Sequence, residues 1–154
     1  MNKFAFAALF AASFSVLPVS AQDAPVAPAT SGEDLSQFSP AQQFGYGMFL
    51  LSKHFVEILD TPEAQQNPDA AAEKIDALTE TARSLFELAP KVDKAELQDI
   101  LSKLLVTEEY NDVQSRGSLI GKRLISTEYY GSEKLKTAVQ TFFFTVMGLQ
   151  QQAM

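Results

Sequence analysis

His54 is the single histidine of the chain, and histidine is the side chain most often used for acid–base catalysis and metal binding. A catalytic triad or an ordinary zinc site would need further histidines or cysteines, and the chain has no cysteine. A haem held between His54 and a methionine such as Met147 is an open alternative. A di-metal carboxylate bundle is disfavoured because Leu51, and not a glutamate, stands three residues before His54. We therefore expect a structural or solvent-facing histidine, with no metal and no cofactor.

The densest local group of carboxylates is formed by Glu108, Glu109 and Asp112. Paired carboxylates perform acid–base catalysis when burial separates their pKa values. The two glutamates would also lie in the first turn of a helix, where the helix dipole favours negative charge, and this role accounts for them. An enzyme would have to act through such carboxylates or through tyrosines such as Tyr129 and Tyr130. We predict that the protein is not an enzyme and has no catalytic residue.

The segment 117–123, GSLIGKR, has two glycines and a lysine in the manner of a phosphate-binding loop. The motif requires four residues between its glycines and a hydroxyl after its lysine, whereas this segment has three residues and Arg123. No predicted strand precedes it. Gly117 and Gly121 lie one helical turn apart, so we expect them to allow a neighbouring helix to approach closely.

The charge of the chain is negative overall and unevenly distributed. The net charge is −7; residues 22–112 carry seventeen acids and six bases, whereas residues 113–154 carry two acids and five bases. Nucleic acid is therefore not an expected partner, since phosphate binding depends on a basic surface. The two parts of the chain are expected to attract each other within one domain. The alternative is an anion-binding site formed by basic residues of the second part: Arg116, Lys122 and Arg123, with Lys134 and Lys136 nearby.

The most apolar part of the second half is the run 142–149, FFFTVMGL, which covers nearly the whole circumference of a helix. Such a helix is either central in its own bundle or shared with a partner. Phe143, Phe144 and Met147 form the possible interaction surface, and Phe144 is predicted to point away from the side occupied by Phe142. The surface would serve an unknown protein partner or self-association.

Helix signals divide the rest of the chain. N-terminal capping patterns occur at three places: Ser39-Pro40-Ala41-Gln42, Asn67-Pro68 and Asp93-Lys94-Ala95-Glu96. The second pattern follows an interruption at proline 62, and the third follows an interruption at proline 90. The apolar stripe that begins at residue 97 falls out of phase by half a turn near Thr107, which predicts a break there. Gly131 and Ser132 are predicted to separate this part from a last helix over 133–151. We predict an all-α fold: a single antiparallel helical bundle of four to five helices.

The N-terminus has the order of a secretory signal. Residues 1–3, MNK, precede a short apolar run, a proline at position 18 and the small-residue box at 19–21. Cleavage after Ala21 is predicted, followed by a disordered Ala/Pro-rich leader over 22–38 and a helical bundle domain over 39–152. The run is too short to anchor the chain, and no other stretch of the mature chain is long enough to span a membrane. The protein is predicted to be exported, to the periplasm or the extracellular space.

These expectations bound the function without identifying it. The leading hypothesis is an exported, non-enzymatic helical protein-interaction module. The alternative is a carrier that binds an apolar small molecule in the core of the bundle, because eight of the twelve phenylalanines of the chain follow the predicted cleavage site and could line such a pocket.

Overall fold

A computed structural model describes residues 37–153; the predicted signal peptide and residues 22–36 of the predicted leader lie outside this range. The described part is all-helical. Its six α-helices are α1 (Pro40–Leu59), α2 (Pro62–Gln66), α3 (Pro68–Ser84), α4 (Lys94–Leu105), α5 (Glu108–Ser126) and α6 (Glu133–Ala153). The count exceeds the predicted four to five because of α2, which has only five residues and therefore no apolar period to reveal it.

The helices begin where the capping patterns place them. At the start of α1, Gln42 N donates to Ser39 Oγ over 3.2 Å, and Ser39 N donates to Gln42 Oε1 over 3.0 Å. This is the predicted capping box. The break near Thr107 is confirmed as well, since α4 ends before it and α5 begins after it. The other capping side chains are those of Thr61, Asn67, Asp93, Thr107 and Ser132.

Only one of the two hydrogen bonds of the predicted capping box at Asp93 and Glu96 forms. Glu96 N donates to Asp93 Oδ1 over 2.8 Å, as expected. The carboxylate of Glu96 is engaged elsewhere, because Glu96 Oε1 accepts a hydrogen bond from Ser39 Oγ over 2.6 Å. The N-termini of α1 and α4 are thus joined side by side through a pair of side chains.

Two helices end earlier than predicted. α3 ends at Ser84, and the chain continues through two 3-10 turns, Leu85–Glu87 and Ala89–Lys91. In an α-helix, proline at position 90 would lack an N–H donor and its ring would clash with the carbonyl of Phe86, so the α-helix cannot continue through this segment. α5 ends at Ser126, and the four residues 128–131 then have φ of 50°, 58°, 56° and 75°. Gly131 has the expected positive φ, but three residues with side chains share it at a cost of about 1 kcal/mol each.

α1 is the central helix, since it contacts α3, α4 and α5, whereas α6 lies mainly on α3. Gly45 allows α1 and α4 to approach closely: a Cβ at this position would lie 3.0 Å from Ile100 Cγ2. None of the helices between residues 37 and 153 is both long and apolar enough to cross a membrane. The largest side chains with almost no exposure are Phe55, Leu59, Ile75, Ile120, Leu124, Leu135 and Leu149.

Candidate interaction surface

Three consecutive phenylalanines of α6 have three different environments. Phe142 is 2% exposed and stacks on Phe55, with ring centroids 5.0 Å apart and an interplanar angle of 9°. Phe143 is partly buried, and its ring meets that of Phe55 edge to face at 5.2 Å. Phe144 is 74% exposed. Each residue of an α-helix is rotated by about 100° from the one before, so two steps carry the side chain from the core to the solvent.

The exposed residues of α6 beyond its first turn form a stripe that we call the outer face. Helical periodicity places Phe144 on it, and Met147, which is partly exposed, on its flank. Near Gly148 the face borders Phe86 of the first 3-10 turn, whose Cζ would lie 3.4 Å from a Cβ on that glycine. The outer face consists of Thr137, Gln140, Phe144 and Gln151, with Gln152 at its edge.

No residue from 137 to 153 carries a charge. The charged side chains of α6 are confined to its first turn, and the structure places them in ion pairs: Lys134 Nζ lies 2.8 Å from Glu73 Oε1, and Lys136 Nζ lies 3.1 Å from Glu133 Oε1. The outer face is therefore an uncharged surface on a protein with a net charge of −7.

Threonine hydroxyls along α6 are satisfied within the helix. Thr137 Oγ1 donates to the carbonyl of Glu133, and Thr141 and Thr145 donate in the same way to the carbonyls four residues before them, each over 2.9 Å. A molecule that approaches this side meets methyl groups and need not break these hydrogen bonds. The side chains that remain available for polar contacts on the outer face are those of the glutamines.

The predicted anion-facing residues divide into two groups. Arg116 Nε donates to Asp60 Oδ2 over 3.0 Å, and Arg123 lies 3.7 Å from the other oxygen of the same carboxylate. The hydrogen bond with Asp60 raises the pKa of Arg116 above its ordinary value, so this guanidinium stays charged. Lys122 is exposed and forms no ion pair with residues 37–153. The structure thus joins two arginines of the second half to an acid of the first half, and an external anion would have to compete with Asp60 for them.

The acidic group near the start of α5 is also used within the molecule. Glu109 Oε1 lies 2.7 Å from Lys53 Nζ, and Asp112 Oδ2 lies 3.4 Å from Arg116. The hydrogen bond that Lys53 Nζ donates to Glu109 raises the pKa of Lys53. These pairs connect α5 with α1 and with the next turn of α5 itself. Their arrangement is that of surface ion pairs, each with modest energy.

The two tyrosines of the left-handed turn at 128–131 are largely covered. Burial raises the pKa of Tyr129, which keeps its phenol protonated and so works against a role as base or nucleophile. Tyr130 Oη is buried, with no hydrogen-bond partner among the described residues.

His54 lies at the rim of an open cleft of about 380 Å³ between α1, α2 and α3. Ile58 and Leu78 contribute apolar wall, and an ion pair of 3.3 Å between Lys74 Nζ and Glu63 Oε2 bridges one side. Within the part of the chain that the structure describes, no group of three or more histidine, aspartate and glutamate side chains could hold a metal ion. The cleft could accept a small molecule, but it presents no metal-binding geometry.

Two residues contribute to these surfaces in ways that the sequence does not predict. Asp60 pairs with arginines 56 and 63 residues later in the chain, and no local pattern signals an ion pair at such separations. Phe86, which borders the outer face, follows a helix whose end the sequence placed too late. Comparison with models of protein families, with curated proteins and with solved structures finds no match to this chain.

Proposed function

We propose that this protein is an exported, non-enzymatic interaction module whose contact surface is the outer face of α6. The observation that carries the proposal is Phe144, a large aromatic side chain that is 74% exposed on an uncharged helical face. Protein interfaces are enriched in aromatic residues and depleted of charged ones at their centres.

The opposite side of the same helix supports this role. Val139, Phe142 and Leu149 are buried against the rest of the protein, so the outer face is held in place before any partner arrives. A preformed surface avoids the entropy cost of ordering a segment on binding. In this proposal the six helices form a single antiparallel bundle, α6 is its recognition element, and the N-terminal signal delivers it outside the cytoplasm.

The test is a charge placed at the centre of the outer face. Phe144→Glu should fold with a free energy of unfolding within about 0.5 kcal/mol of the wild type, because the side chain is mostly in solvent. It should lose the associations that cross-linking captures around the wild-type protein in its own cell. Leu119→Glu is the matched control, since Leu119 is a second large apolar residue, 59% exposed, on α5.

The expected control result is that Leu119→Glu keeps the wild-type associations. If Phe144→Glu kept all of them too, with its fold intact, the outer face would not be a contact surface and the proposal would be rejected. Circular dichroism and urea unfolding of both variants establish that a lost association does not reflect a lost fold.

A carrier function is the second candidate, and the cleft at His54 is the observation that favours it. Its volume lies within the range of about 300–1,000 Å³ that small-molecule sites occupy. Inside the bundle, by contrast, Phe55, Phe142 and Phe143 pack against one another. A ligand would therefore bind in the cleft. Native mass spectrometry of the protein from its own cell should then show a bound small molecule, which Ala77→Trp, a substitution in the cleft wall, should remove.

A further inference from the structure

We propose that the partner at the outer face of α6 is a second copy of this chain, related to the first by a two-fold axis that passes beside Phe144. This inference rests on the proposed interaction role of the outer face and names its partner. Three properties of the face support it: its lack of charge, the self-complementarity of its side chains, and its register about Phe144.

Charge is the first property. Each copy has a net charge of −7, so two copies repel each other at long range. Exposed positions of α3 carry acids such as Asp69, Glu73 and Asp76, and a two-fold contact there would bring like charges together. The outer face of α6 has no charged side chain. Two copies can therefore approach each other on this face with little opposing charge.

The polar side chains of the face are the second property. A glutamine amide has both donors and an acceptor, so a glutamine-bearing surface can form hydrogen bonds with an identical surface. A surface with charges of one sign cannot do so. Phe144 adds an aromatic ring, and aromatic rings pair favourably with one another at centroid distances of about 4.5–7 Å. The face is thus complementary to itself, as a two-fold contact requires.

Register is the third property. In an antiparallel pair of α6 helices with the axis at Phe144, residues at equal distances before and after Phe144 face each other. Gln140 then lies over Gly148 of the partner subunit and beside the ring of Phe86, which borders that glycine. Thr137 lies beside Gln151 of the partner subunit. The two Phe144 rings meet each other at the axis.

The size of the face sets the strength of the contact. From Thr137 to Gln151 it is about 21 Å long and about 10 Å wide, given the rise and diameter of an α-helix. This is well below the roughly 800 Å² that each partner buries in a standard interface. We expect a weak and reversible dimer that forms in concentrated solution.

Introduced cysteines test the register directly, because the natural chain has none. A mixture of Thr137→Cys and Gln151→Cys proteins should form a disulfide-linked heterodimer under mild oxidation. Either protein alone should not, since two copies of the same position would lie about 21 Å apart, beyond the reach of a disulfide of about 7 Å between Cα atoms. Leu119→Cys, on α5, is the control that measures how much disulfide forms through random collision. Cross-linking of each variant with itself, or none above the Leu119→Cys level in the mixture, would overturn the antiparallel contact.

Sedimentation provides a test without a covalent bond. At about 1 mM, where an interface with a Kd in the upper micromolar range is populated, the wild type should sediment as a mixture of monomer and dimer. Phe144→Glu should shift the mixture to monomer, whereas Leu119→Glu should leave it unchanged. A wild type that stays monomeric at this concentration would overturn the proposal.

The outcomes separate this inference from the proposed function. If cross-linking in the cell captures a different protein through Phe144 while the purified chain stays monomeric, the second copy is excluded and the interaction role stands. If neither contact is found, both fail. If the thiol of Gln140→Cys is protected from reagents in a monomer, another segment of the same chain covers the face, and the second copy is again excluded.

Discussion

Replacing each of the three consecutive phenylalanines of α6 by alanine should lower the free energy of unfolding of the monomer by very different amounts. The loss should be largest at Phe142 and smallest at Phe144. Phe142 is almost fully buried. Its loss removes about 3–5 kcal/mol through transfer and cavity terms. It also removes ring pairs with Phe55 and Phe143, each contributing about 1 kcal/mol beyond the buried area. We expect Phe142→Ala to cost about 5 kcal/mol, a large share of the stability of an ordinary domain.

The two neighbours should cost less in proportion to their burial. Phe144 has about a quarter of its surface covered, so the same reasoning gives about 1 kcal/mol. Alanine also has the higher helix propensity, which offsets about half of that loss. Phe143 is partly buried and contacts two other rings, so Phe143→Ala should fall between the two, at about 2–3 kcal/mol.

Urea unfolding at low protein concentration, where no dimer contributes, measures the three free energies. The denaturant dependence should be similar for all three variants, so that differences in midpoint report stability. Because the residue type, the helix and the substitution are the same, the comparison isolates burial. If Phe144→Ala were as costly as Phe142→Ala, α6 would be rotated relative to the orientation described, and both proposals for its outer face would lose their basis.

Three further predictions concern other parts of the fold. Burial raises the pKa of Tyr110 from its ordinary 10.0 to about 12, so the native state retains a proton that the unfolded chain releases. The free energy of unfolding should therefore fall as the pH rises from 10 to about 12. Urea unfolding of Tyr110→Phe should lack that part of the decline. Ser39→Ala should lower the free energy of unfolding by about 1–2 kcal/mol in the same assay. The double variant with Glu96→Ala should lose less than the sum of the two single losses, because each single change already removes the same hydrogen bond. Strict additivity would exclude the link between α1 and α4. Gly45→Ala should lower the thermal stability of the protein although alanine favours helix, because its Cβ would press on Ile100. In an Ile100→Ala background the same substitution should be neutral or stabilising. Equal effects in both backgrounds would contradict the close contact.

The sequence predicted those parts of the fold that short-range chemistry determines. Capping side chains at Ser39, Asn67 and Asp93 act on backbone groups within three residues, so their patterns are visible along the chain. The break at Thr107 could be predicted because the apolar stripe changes phase there, which a straight helix cannot accommodate. The helix α2 was missed since five residues make little more than one turn.

Features that depend on contacts between distant residues could not be predicted. Glu96 completes no capping box because a hydroxyl 57 residues away takes its carboxylate. The early end of α5 and the positive φ angles of residues 128–130, none of which is glycine, have no local signal either. For the candidate surface, the direction of Phe144 follows from helical geometry alone, whereas the pairing of Arg116 and Arg123 with Asp60 required the fold.

The packing of α6 on α3 has a consequence for how the protein is made. Ser132, just before α6, donates a hydrogen bond to Asp69 at a separation of 63 residues, and α3 finds its main neighbour only in α6. A ribosome delivers the chain from its N-terminus, so α3 has been synthesised long before the helix that covers it. Until then α1 covers only part of its apolar face, and contacts so distant in the chain form slowly. A chain that ends before residue 133 would lack α6 and would remain exposed to proteases and aggregation. The packing of α6 on α3 therefore distinguishes complete chains from truncated ones.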